Sequence, residues 1–127
     1  MKIDHIALYT KDLERMKDFY MKYFNASSND GYHNKVTGLR TYFLTFEDHT
    51  RLELMTRPEL DELSPSPYQT GYIHLAFSVG SRQLVDSITN TLEQDGYQIF
   101  SKPRVTGDGY YESCILDPDG NLIELVG

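Results

Sequence analysis

The sequence predicts an α+β fold of two β-α-β-β-β modules in tandem, forming one curved mixed sheet, and three observations lead there. The segment His5-Ile6-Ala7-Leu8 is echoed by His74-Leu75-Ala76-Phe77, and Leu52-Glu53-Leu54-Met55 is echoed by Ile123-Glu124-Leu125-Val126. Glu53 follows His5 by 48 positions and Glu124 follows His74 by 50, so the two halves keep one spacing. An amphipathic helical pattern follows each His-bearing segment. Self-similarity of this kind marks a repeated supersecondary unit. Module one is expected at about 1–57, a linker at about 58–70 and module two at about 71–127, within one domain.

The first module opens with a strand at 3–9. Asp12 precedes an apolar-periodic run and reads as a helix N-cap, with Glu14 in the first turn favoured by the helix dipole. Arg15 occupies the position where a capping box would carry Glu or Gln. Leu13, Met16, Tyr20, Tyr23 and Phe24 form one apolar stripe, so the helix covers a sheet. Residues 25–38 are small and polar and read as a loop, with a weak strand near Tyr32–Val36. The runs 39–47 and 51–56 read as a hairpin turning at Glu47-Asp48-His49-Thr50. Pro58, Pro65 and Pro67 then disfavour regular structure in 57–70.

The second module repeats the order. A strand at 72–79 precedes a helix capped by Ser81, with Leu84, Val85, Ile88 and Leu92 as its stripe and Gly96 as its stop. Strands follow near 97–105, 110–116 and 121–126. The last two are joined by Asp117-Pro118-Asp119-Gly120, where Pro presets φ and Gly can take φ > 0.

Composition narrows the partners. A chain of 127 residues with 39% hydrophobic side chains, ten Tyr and six Phe can bury a core. Its net charge of −7 opposes nucleic acid or anionic membrane as a partner and leaves a small molecule. The single Cys114 cannot form an intrachain disulfide and reads as a small core hydrophobe. No leader and no apolar run near the roughly 20 residues that span a bilayer is evident, so the expected location is the cytoplasm.

Strand side chains alternate in direction. His5 therefore sides with Ala7 and Tyr9 against Ile6 and Leu8, and His74 sides with Ala76 and Ser78 against Leu75 and Phe77. Glu53 lies between leucines, and Glu124 between Ile123 and Leu125. If the apolar neighbours face the helix, the two His and two Glu occupy the opposite, concave face. One His or Glu of this kind is ordinary, but its repetition in both modules is not. Uncompensated charge gathered there is unfavourable, and a divalent cation relieves it. His33 and His49 lie in a polar loop and a turn and read as surface residues.

The β-α-β-β-β repeat, the two His-bearing segments and the ending Asp117-Pro118-Asp119-Gly120-Asn121-Leu122-Ile123-Glu124-Leu125 resemble the vicinal oxygen chelate superfamily, especially its glyoxalase I branch. The resemblance covers the whole chain. It implies that the curved sheet encloses a metal cleft and that His5, Glu53, His74 and Glu124 are the metal ligands. It also implies that Glu124 is the principal base with Glu53 assisting, and that the chain forms a two-fold homodimer sharing sites between subunits.

Two imidazoles and two carboxylates suit one divalent Ni, Co, Zn, Mn or Fe per site, and these alternatives stay open. Such a centre can chelate the adjacent oxygens of a hemithioacetal of methylglyoxal and acidify its carbon-bound proton. The implied activity is lactoylglutathione lyase-like, giving an S-2-hydroxyacyl thiol. Glutathione or another low-molecular-weight thiol would be the cosubstrate. Where that branch usually places a basic residue after the first His and a polar amide after the first Glu, this chain departs with Tyr9 and Arg57; Arg57, or Arg40 and Arg51, are the candidates to hold a cosubstrate carboxylate.

Alternatives share the fold. A methylmalonyl-CoA epimerase usually carries Gln where Glu53 stands. Thiol transfer to fosfomycin and extradiol dioxygenation use two His and one Glu. A metal-free antibiotic-sequestering module would need none of the four.

Overall fold

The computed structural model describes residues 1–61 and 66–127, so Pro65 of the expected linker lies outside the described residues. The chain divides into two compact units, Met1–Leu63 and Ser64–Gly127.

In the first unit, strand β1 (Ile6–Tyr9) leads to helix α1 (Leu13–Phe24). The Asp12 side chain accepts from the Arg15 amide at 3.0 Å, and Asn25 ends the helix in the left-handed conformation at φ 53°. Leu13, Met16, Phe19 and Tyr20 are the buried face. Phe19, three residues after Met16, belongs to the buried stripe although the sequence reading left it out, and its ring meets Tyr20 edge-on at 5.3 Å; Tyr23 and Phe24 are half-buried.

Two short strands, β2 (Ser27–Ser28) and β3 (Tyr32–His33), both pair with β4 (Arg40–Thr45). The stretch expected as a loop is therefore held to the sheet, and asparagine side chains do the holding. Asn29 Oδ1 accepts from the amides of Gly31 and Phe43, and Asn34 Oδ1 accepts from those of Val36 and Thr37. Gly31 has φ +81°, and a Cβ there would come within 2.6 Å of the Tyr42 ring. Both constraints demand glycine.

β4 turns into β5 (Arg51–Thr56) through His49 at φ 67°. The sheet order is β1-β5-β4-β2, with β3 also on β4, and β1 runs parallel to β5. Met16, Tyr20, Leu44 and Leu54 are fully buried between helix and sheet. Burying each such side chain contributes about 1.5–3 kcal/mol.

The second unit runs β6 (His74–Ser78), α2 (Arg82–Gln94), β7 (Ile99–Val105), β8 (Tyr111–Leu116) and β9 (Leu122–Val126). Its order, β6-β9-β8-β7 with β6 parallel to β9, repeats that of the first unit. Pro103 sits in the edge strand β7, within the irregularity of its pairing with β8 between Ser101 and Arg104, a place where a residue without an N–H is tolerated. Ser81 caps α2 by accepting from the Leu84 amide at 3.2 Å, and Gly96 follows the helix at φ +89°.

The buried face of α2 is Val85, Thr89 and Leu92. Leu84, expected in the stripe, is 47% exposed; the buried position one turn on from Val85 is taken by Thr89 instead. The Thr89 hydroxyl donates to the Val85 carbonyl at 2.6 Å and so accepts from the Ser113 hydroxyl at 2.7 Å. A polar pair closed on itself can lie among Val85, Ile115 and Leu125 without leaving an unmet group.

At the β8–β9 turn, Asp117 Oδ1 accepts from the amides of Asp119 and Asn121, and Oδ2 accepts from the Asn121 side chain. Burial pushes the Asp117 carboxyl above its usual range, while these donors pull it back. No helix among the described residues is long and apolar enough to cross a membrane.

Thr89→Val should destabilise the protein by about 1–3 kcal/mol, because it leaves the Ser113 hydroxyl buried without an acceptor. The double variant Thr89→Val/Ser113→Ala should be less destabilised than the two single effects added together. Urea unfolding midpoints of the four proteins check this, and strict additivity would show that the pair is not coupled.

Candidate metal centre

Register explains why one His meets one Glu in each unit. In the first, Ala7 of β1 lies opposite Glu53 of β5; in the second, Ala76 of β6 lies opposite Glu124 of β9. Each His is two residues before that alanine, His74 as the first residue of edge strand β6 and His5 immediately before edge strand β1, so it faces the same side and sits diagonally from the Glu. Diagonal neighbours are roughly 7 Å apart at the backbone, within reach of two long side chains, and the small alanine leaves them room. His5 Nε2 accordingly lies 3.5 Å from Glu53 Oε2, and His74 Nε2 lies 3.3 Å from Glu124 Oε2.

All four side chains are partly open to solvent, from 17% for Glu53 to 36% for His74. Their neighbours on the other side, Leu52, Leu54, Ile123 and Leu125, are buried. Two donors about 2.1 Å from one ion and at a right angle to it would be about 3 Å apart. Each His–Glu pair therefore fits two adjacent positions of a divalent cation. Among the described residues no group of three or more His, Cys, Asp or Glu side chains gathers as a metal cluster.

The surroundings of the two pairs differ. His5 Nδ1 is 2.9 Å from Asp4 Oδ2, which also accepts from Arg51 Nη2. The hydrogen bond from His5 and the charge of Arg51 hold the Asp4 carboxyl below its usual range. The Arg51 guanidinium lies 4.9 Å over the Phe43 ring, and Phe43 meets the His5 ring edge-on at 5.2 Å. Asp4 and Phe43 were not among the candidates from sequence. The available signal was the adjacency of Asp4 to His5 and the β4 alternation that turns Phe43 towards Glu53.

Tyr9 and Arg57 are brought together. Arg57 donates through Nε to Glu59 at 2.8 Å and also bonds the Tyr9 hydroxyl, and both contacts hold the guanidinium more firmly charged than usual. Arg40 is a correction to the sequence reading. It bonds Glu14 on α1 at 3.3 Å and so lies on the helix side of the sheet, away from His5 and Glu53. His33 is exposed in β3 and His49 occupies the β4–β5 turn.

Cys114 is a second correction. Ser113 and Ile115 take the helix side of β8, so Cys114 faces the other side, paired across the ladder with Glu124. It is half-buried there, outside the core. Burial and the charges of Glu124 and Glu112 push its thiol up to about 11. At pH 8 Cys114 should react with iodoacetamide about 100-fold more slowly than a free cysteine, since only the thiolate attacks. Glu124→Gln should speed that reaction by removing a neighbouring charge. Alkylation followed by mass spectrometry checks both.

A family model described as the Glyoxalase/Bleomycin resistance protein/Dioxygenase superfamily matches residues 2–125. YqjT of Bacillus subtilis (strain 168), an uncharacterized protein, is 29% identical over 130 residues, covering 96% of this chain and 95% of its own. Biphenyl-2,3-diol 1,2-dioxygenase 2 of Rhodococcus globerulus is 30% identical over 128 residues, covering 98% of this chain and 61% of its own. Among solved structures, the glyoxalase family protein from Enterococcus faecalis matches with a TM-score of 0.81 at 23% identity, over 99% of this chain and 97% of that one. Glyoxalase I from Zea mays matches with a TM-score of 0.82 at 21% identity, over 98% of this chain and 44% of that one. These two share the fold. With almost its whole length matched by the family model, the chain belongs to the Glyoxalase/Bleomycin resistance protein/Dioxygenase superfamily.

Proposed function

We propose that the two units act as one domain type whose His5, Glu53, His74 and Glu124 hold a single divalent metal. The reaction is isomerisation of the hemithioacetal of a 2-oxoaldehyde and a low-molecular-weight thiol to an S-2-hydroxyacyl thiol. The observation that carries this reading is the recurrence, at equivalent register positions of both sheets, of a His Nε2 and a Glu Oε2 within 3.5 Å of each other. When bound, the metal would supply Lewis acidity towards two adjacent substrate oxygens.

The chain's own groups do the rest. Glu124 Oε accepts the carbon-bound proton and returns it to the neighbouring carbon, and Glu53 handles the proton of the substrate hydroxyl from the opposite side. Arg57, steadied by Tyr9 and Glu59, offers its remaining N–H groups to a carboxylate of the thiol cosubstrate. The resemblance to the glyoxalase I branch supports a homodimer, with each site built from the first unit of one subunit and the second unit of the other.

A second reading, oxidative cleavage of a dihydroxylated aromatic ring, is favoured by the 30% identity to the Rhodococcus dioxygenase. It requires two His and one Glu, which leaves Glu53 without a task. Assay of the metal-loaded protein with methylglyoxal plus glutathione or other thiols, and separately with 2,3-dihydroxybiphenyl in air, separates the two. Turnover of neither, together with no metal retained after purification, would sink both and favour a sequestering role.

His5→Ala and His74→Ala should each weaken divalent-metal binding by about 10–100-fold or more, while His33→Ala leaves it unchanged. Glu124→Gln at saturating metal should lose turnover by at least about 100-fold, since an amide cannot accept the carbon-bound proton. If it retained most activity, the base would be Glu53.

Assembly has its own test. His5→Ala and His74→Ala proteins, each inactive, should regain up to about a quarter of wild-type sites when unfolded and refolded together, because half the dimers are mixed and each carries one intact site. No recovery in confirmed mixed dimers would mean that sites form within single chains.

A further inference from the structure

The first unit surrounds its histidine with a bracket that the second unit lacks. Asp4 Oδ2 receives both His5 Nδ1 and Arg51 Nη2, and Arg51 is itself seated over Phe43. An ionised carboxylate can only accept, so the hydrogen of the neutral His5 ring is on Nδ1 and the Nε2 lone pair points towards Glu53. Carrying the register across, with Ala7 matched to Ala76 and Glu53 to Glu124, puts Ile73 where Asp4 stands, Leu122 where Arg51 stands and Cys114 where Phe43 stands. None of these can accept from His74 in the same way. Among the described residues, His74 Nδ1 has no hydrogen-bond partner, and its one ion-pair neighbour is Glu124, 3.3 Å from Nε2.

We propose that Asp4, clamped by Arg51, is a positioning residue that fixes the His5 tautomer and presents Nε2 as the preset ligand, making the two halves of the centre unequal. This rests on the metal reading above. Partners of this type orient a ligating imidazole and raise its basicity. The ring of His5 meets the ion with its hydrogen already on the far nitrogen, whereas His74, though its Nε2 lies 3.3 Å from Glu124 Oε2, has no partner on Nδ1 to fix that tautomer.

The test begins on metal-free protein labelled with ¹⁵N-histidine, at about pH 8.5 where imidazole is neutral. Long-range ¹H–¹⁵N correlations should show His5 with its hydrogen on Nδ1 and His74 with the Nε2–H form that a solvated imidazole prefers. In Asp4→Ala, His5 should move towards the Nε2–H form while His74 does not change. Titration with Co²⁺ should show affinity falling by about 10–100-fold in Asp4→Ala. Asp4→Asn, whose amide oxygen still accepts from Nδ1–H, should restore the tautomer and most of the affinity, which a merely structural role would not predict. Retention of the Nδ1–H form in Asp4→Ala, or a tautomer change with Co²⁺ affinity within twofold of wild type, would overturn the inference alone. A wild-type protein that binds no Co²⁺ would overturn the metal reading and this inference with it.

Discussion

The parallel pairing of the first and last strand of each unit is the constraint from which the rest follows. It sets alanine against glutamate at Ala7–Glu53 and Ala76–Glu124, and thereby fixes which residue lies on the diagonal. The helix between the paired strands then has one side of the sheet to cover, and Leu52, Leu54, Ile123 and Leu125 fill that side. With the apolar side chains committed to the core, alternation leaves His and Glu nowhere to point but away from it. Core packing and the chemistry of the open face are two consequences of one register.

That register is shared by both units, but the environment built on it is not. The first unit puts a carboxylate, a guanidinium and an aromatic ring beside its histidine, whereas the second puts Ile73, Leu122 and Cys114 at the matching places. A neutral thiol beside Glu124 adds neither charge nor competition for a proton. One half thus brackets its histidine with charge, whereas the other sets a neutral thiol beside Glu124, with the Arg104–Glu112 ion pair further along the same face.

Most of the fold was legible because its signals are local. Asp12 and Ser81 announced the helix starts, Gly96 a helix end and Asp117-Pro118-Asp119-Gly120 a turn, and each does that task in the structure. What escaped was decided by tertiary partners. Thr89 is buried because Ser113 and the Val85 carbonyl satisfy it, which no periodicity of apolar residues can reveal. The strands β2 and β3 exist because β4 accepts them, and two-residue strands leave almost no pattern of their own. The histidines and glutamates were legible by repetition, but the support of His5 by Asp4 and Arg51 required knowing which strands are neighbours. Arg40 and Cys114 depart from expectation for one reason: alternation along β4 turns Arg40 to the helix side, and alternation along β8 turns Cys114 away from it.

The anchored turn at Asp117 has a consequence for how such a chain can change over generations. Asp117 holds both ends of the turn, so it sets the phase in which β9 leaves it. One residue gained or lost between Asp117 and Glu124 would exchange the two faces of β9, sending Glu124 towards the helix and Ile123 outward. That segment is intolerant of length variation even though no residue of the turn touches the chemistry. The asparagine-tied stretch between α1 and β4 carries no such phase, because β1 and β5 do not pass through it. A length change there leaves the β1–β5 register that pairs His5 with Glu53 untouched, whereas one between Asp117 and Glu124 reverses the face on which that glutamate lies.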